Sequence, residues 1–115
     1  MRIPTTSKVI ANQFAFATLG SQLASDQIVN VVDGVTKISP DGRPVHRTAL
    51  MALRVKDGAV SFEQDRNISL NVIEPTDLES GKVYTVSGLV WITPYVNNNG
   101  RQALSVIAER VEPRA

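Results

Sequence analysis

The sequence predicts an all-β domain of five principal strands, folded as a sandwich or small barrel. Three observations carry this expectation. Turn signals recur along the chain, at SPDGRP (39–44), KDG (56–58) and NNNG (97–100). Between them lie runs rich in Val, Ile, Leu and Thr, the composition of strands. A helical period is absent outside residues 11–27. With 115 residues the chain is one domain, 1–115, large enough to hold a single core without staples.

Taken in order, residues 1–27 read as an N-terminal extension or as a first strand or helix. ANQFAFATLGSQLASDQ (11–27) is Ala- and Gln-rich, which suits a helix, whereas Phe14 and Phe16 at alternate positions suit the start of a strand. The barrel proper spans 28–112. Its first strand covers 28–38 and ends at SPDGRP, where Pro40 fits the second turn position and Gly42 supplies positive φ. The second covers 45–56, and the third 59–63 with 68–73. EPTDLESGK (74–82) is a longer link with room for a short helix between strands three and four. The fourth strand covers 83–96 and the fifth 101–112, joined by NNNG. Gly34 and Gly88 fall mid-strand, where a long strand in a small barrel needs to bend.

Alternation assigns faces. In 83–96 the even positions, Tyr84, Val86, Val90 and Ile92 among them, read as core. The odd positions put Leu89, Trp91 and Tyr95 among hydroxyl side chains on the opposite face. In 45–56 the odd positions are mostly core, and Arg47 breaks the pattern. A bulge would exchange the two faces downstream of it.

Composition excludes several chemistries. There is no Cys, so disulfides, thiolate metal sites and Cys nucleophiles are ruled out, and the single His46 rules out a multi-histidine site. No Gly-rich phosphate loop, nucleophile elbow or calcium loop is present. The expectation is a protein that is not an enzyme and carries no cofactor. No apolar run approaches a membrane span and the N-terminus lacks an apolar leader core, so a cytoplasmic protein without membrane contact is expected.

The net charge is only +1, but it is segregated. In 37–56, Lys37, Arg43, Arg47, Arg54 and Lys56 stand against Asp41 alone, a balance of +4. Residues 57–80 balance at −5 and 81–115 at +2. Segregation of this kind builds one basic face, as a polyanion binder requires. A solvated barrel with scattered charges is the alternative.

The link NVIEPTDLESGKVYTVSG, the basic hairpin around SPDGRP and the terminal hairpin WITPYVNNNGRQALSVIAE together resemble the OB-fold, a five-stranded Greek-key barrel. The resemblance covers 28–112 and extends to small single-stranded DNA-binding proteins of plasmids, phages and mobile elements. It implies single-stranded DNA as partner, with RNA as a variant, in replication or transfer of a mobile element, and a homo-oligomer. The acidic tail with a terminal Phe that ends the bacterial housekeeping members has no counterpart in ERVEPRA.

Sequence-tolerant binding of single strands needs flat surfaces for bases and cations for phosphates. Trp91 and Tyr95 share one side of a strand, about 13 Å apart at about 3.3 Å per residue. Each is either a stacking platform or a core plug or cap. Phe62 is a second platform or core. Tyr84 falls in the core register, and Phe14 and Phe16 read as packing or a self-association surface. Arg101 closes the NNNG loop near Tyr95, and Lys37, Arg43, Arg47, Arg54 and Lys56 supply the phosphate track. The rival reading is a non-catalytic β-barrel interaction or structural subunit of a phage or plasmid that binds no nucleic acid. A buried Trp91 with a mixed-charge surface would favour this rival, and an exposed Trp91 inside a basic groove would favour the binder.

Overall fold

The computed structural model describes residues 3–114, without the side chain of Phe62. In chain order the elements are β1 (Ile3–Thr6), α1 (Ser7–Gln13), β2 (Phe14–Ala17), a 3-10 turn (Ala24–Asp26), β3 (Val31–Val32), β4 (Val35–Thr36), β5 (His46–Arg47), β6 (Met51–Lys56), β7 (Ala59–Asp65), β8 (Ile68–Val72), β9 (Val83–Val96) and β10 (Gln102–Pro113). The protein is mostly β, with one large mixed sheet and one short α-helix, and no closed barrel forms among the described residues. The sheet runs β5-β8-β10-β9-β2-β6-β7, with β1 also on β9 and a separate β3-β4 hairpin. β8 and β10 are parallel; the other pairs are antiparallel.

The residues of 3–17 explain an arrangement the sequence left open. Thr6 caps α1, its hydroxyl accepting from Val9 N at 3.2 Å. SKVIANQ contains no Gly or Pro, and Ile10 is buried in the core. The chain then extends at Phe14, where aromatic and Ala residues alternate into β2 between β6 and β9. β1 and β2 both lie along the same side of β9, beside residues 89–92 and 83–84, so α1 interrupts what would be one strand.

Several expected elements differ from the structure. Residues 28–38 do not form a principal strand. Asp33 and Gly34 have φ of 51° and 76°, the positive pair of a type I′ turn, and fold the run into the β3-β4 hairpin. Gly34 is therefore a turn residue and not a mid-strand bend. The 45–56 strand breaks at 48–50, where Thr48 Oγ1 donates to Leu70 O at 3.2 Å and accepts from Leu50 N at 3.3 Å, competing with the ladder. No helix forms in 74–82. Pro75 disfavours it, and the backbone there is used elsewhere: Leu78 pairs with Gln22, Asp77 Oδ1 accepts from Ala24 N at 2.8 Å, and Tyr84 Oη accepts from Glu79 N at 2.8 Å.

The main core sits under the even face of β9, where Tyr84, Val86 and Val90 pack with Phe16, Leu70, Val72, Leu78 and Val106. A smaller cluster on the other face joins Trp91, Val45, Ile73 and Ile107.

Gly88 does bend β9. It has φ +80°, and the register of β9 against β10 shifts between Ala108 and Arg110, opposite it. A Cβ at this position would lie 2.8 Å from Glu109 Cβ, besides adopting a left-handed conformation. Gly88→Ala is expected to cost about 1–3 kcal/mol. A urea midpoint unchanged from that of the parent protein would show that the bend is not required.

Candidate nucleic-acid interface

Tyr95 and Trp91 do share a face, and the rows around them define it. Trp91 pairs with Ile107, Thr93 with Ser105 and Tyr95 with Ala103 on β10, and β8 adds Asn71 and Ser69 beside Ile107 and Ser105. At one end this face is closed: Trp91 is only 9% exposed, under Val45 and Ile73. Of the two roles open to Trp91 in the sequence, its burial matches the plug. At the other end Tyr95 is 42% exposed.

Between these ends lies a groove of about 630 Å³. Its floor is Asn71, Ser69, Ser105 and Thr93, and its rim carries Lys37, Arg47 and Tyr95, with no carboxylate among the lining residues. The cations are held in place. Arg47 Nε donates to Asn30 Oδ1 at 2.9 Å, and Asn30 Nδ2 donates to the buried Asn71 Oδ1 at 3.2 Å. Lys37 Nζ donates to Ser105 Oγ at 3.4 Å. Asn30 and Asn71 are each under 10% exposed, so the pair fixes the Arg47 fork from inside the fold. Their signal in the sequence is a lone Asn within an apolar run, in IVNVV and in SLNVI.

The remaining expected residues divide. Arg54 lines a second hollow of about 590 Å³ that also includes Tyr95, and with Lys56 it lines a third of about 310 Å³. Arg101 is exposed on the 97–101 loop, outside all three, its backbone N–H donating to Asn97 Oδ1 at 3.1 Å. Phe62 lies on β7, and its side chain is outside the described residues. Phe14, read in the sequence as packing or a self-association surface, is half-buried and lines the second and third hollows.

Arg43 stands apart. It pairs with Asp41 at 2.6 Å and Glu109 at 3.0 Å, tying the SPDGRP turn to β10. The Arg43 hydrogen bond, followed by that from Ser39, holds Asp41 below the usual carboxylate range, and Arg43 likewise lowers Glu109. Both carboxylates bind protons more readily in the unfolded chain. The stability they supply is therefore complete above about pH 4.5 and is lost as pH falls through their lower folded values. Arg43→Met is expected to flatten this acid limb, as read from urea midpoints between about pH 6 and about pH 3. Parallel limbs in the two proteins would exclude the clamp as its source.

Among the described residues no group of three His, Asp or Glu side chains is placed to hold a metal, and no helix is long and apolar enough to cross a membrane. No family model matches the chain, and neither curated proteins nor solved structures give a match.

Proposed function

We propose that the protein is a non-enzymatic binder of single-stranded nucleic acid, DNA in the first instance, using the face between Arg47 and Tyr95. The observation that carries this reading is the carboxylate-free groove with two anchored cations and an exposed aromatic ring at its rim. Phosphates pair with Lys37 and Arg47, a base stacks on Tyr95, and the hydroxyl and amide floor offers sequence-tolerant hydrogen bonds.

The sheet order supports an OB-type reading. Counting β7 and β8 as one strand interrupted at Arg66 and Asn67, β9 lies beside β2, followed by β6 and β7, which is the 4-1-2-3 order of a Greek key. β7 runs through Arg66 and Asn67 into β8, which lies near the other end of the sheet with only the two-residue β5 beyond it, so the chain itself links the two sides as in a partly open barrel. The likeness to plasmid and phage single-stranded DNA-binding proteins suggests replication or transfer of a mobile element as the setting. Several copies acting together would offset the low net charge.

The test is anisotropy of labelled oligo-dT at low and moderate salt. Binding that weakens steeply with salt supports the proposal; absence of binding at low salt removes it. The second reading, a protein-interaction or structural subunit, has its own observations: Trp91 is buried, and Val31, Val32, Val35 and Ile38 are all exposed on or beside the β3-β4 hairpin.

A further inference from the structure

We propose that a bound strand continues past Tyr95 into a second subsite built on Phe14, Arg54 and Lys56, so that the ligand is a single strand longer than the first groove holds. This rests on the single-strand reading above.

Three observations lead there. Tyr95 and Ile68 line both the first groove and the second hollow, so the Tyr95 ring borders both spaces. Phe14 and Arg54, direct cross-strand partners on β2 and β6, in turn line both the second and third hollows. The three spaces therefore form one chain of hollows, each sharing two side chains with the next. Charge follows the same path: Lys37, Arg47, Arg54 and Lys56 line it, against Asp65 alone.

The chemistry changes along the way. The first groove is polar, whereas the second is walled by Pro94, Leu104 and Phe14, surfaces suited to base faces. Phe14 packs on the main core while still lining the hollows, as a fixed stacking platform requires. Arg54 pairs with Asp65 at 3.2 Å and Lys56 with Glu63 at 3.4 Å, and both cations are more than half exposed. The Lys56–Glu63 pair is exposed on both sides and therefore weak, so a phosphate can replace Glu63; Asp65 is only 12% exposed, and Arg54 can keep it while its other guanidinium N–H groups bind a phosphate.

The experiment compares labelled oligo-dT of about 4 and about 12 nucleotides, within the range one OB-type domain covers. In Arg54→Gln/Lys56→Gln the slope of log affinity against log salt is expected to shrink by about 1.4 for the longer oligomer, two contacts at about 0.7 each, and to stay unchanged for the shorter. Phe14→Leu keeps apolar bulk and is expected to weaken only the longer oligomer, about tenfold. The double variant, altered only at exposed side chains, serves if Phe14→Leu misfolds. Equal affinity and salt slope for both lengths, or a longer oligomer indifferent to Arg54 and Lys56 but weakened by Arg47→Gln, overturns the second subsite alone. Failure of both oligomers to bind the parent protein at low salt overturns the single-strand reading itself.

Discussion

Trp91→Ala is expected to destabilise the protein by about 3–5 kcal/mol, the cost of emptying a site filled by a large aromatic ring. Domains of this kind have a total stability of about 5–15 kcal/mol, so the loss is a large share of the whole. The cause is specific. Trp91 joins β9 to Ile107 on β10 and to Val45 and Ile73, which lie outside the strands of the main sheet. Removing it loosens the attachment of the segment carrying Val45, and hence the placement of Arg47 two residues on. At about 4–8 °C per kcal/mol near this size, the melting temperature should fall by well over 10 °C. A loss under about 1 kcal/mol would mean that the ring is not a structural plug. The fluorescence of the parent protein gives an independent check: emission from this single Trp should be blue-shifted and little affected by oligo-dT.

Tyr95→Ala should do the opposite, leaving melting nearly unchanged while weakening oligo-dT binding. Tyr95 is half-exposed near the end of β9, so little packing is lost. One base stack is worth about 1–3 kcal/mol, which corresponds to about 5- to 150-fold in affinity. Tyr95→Phe should retain most of the binding, because the ring face and not the hydroxyl makes the stack. Affinity of Tyr95→Ala within about twofold of the parent protein would remove Tyr95 from the interface.

Much of the sheet is legible in the sequence because its signals are local. β9 spans the expected 83–96, and the even positions Tyr84, Val86 and Val90 are buried as alternation requires. The terminal hairpin turns where NNNG sits. What escaped depends on competition that pattern alone does not rank. Asp33-Gly34 is a strong hairpin signal inside a run that also reads as one long strand, and the turn prevailed. The Thr48 hydroxyl broke β5 from β6, so Val45 and Ala52 are both buried although their parity differs. Phe14 suited helix and strand equally; the Thr6 cap places the helix earlier and leaves Phe14 to open β2.

The candidate site was partly legible for the same reason. Lys37, Arg47 and Tyr95 were visible as residue types suited to phosphates and bases, and they line one groove. Arg43 looks identical in sequence, yet it is paired with Asp41 two residues before it and with Glu109, 66 residues away, a partner that no local pattern shows. Asn30 and Asn71 were passed over because each is a single polar residue in an apolar run. Their meaning appears only when the fold brings them within 3.2 Å of each other.

The four residues of β1 have a consequence for how the protein should be handled. They pair with residues 89–92 of β9, next to the Gly88 bend. Any tag or truncation that displaces Ile3–Thr6 bares a row of backbone donors and acceptors beside exposed Leu89. That rim is a template for a foreign strand. Shortened versions should therefore show concentration-dependent precipitation well before they show a lower melting point: this small strand acts as a guard against clumping more than as a source of stability.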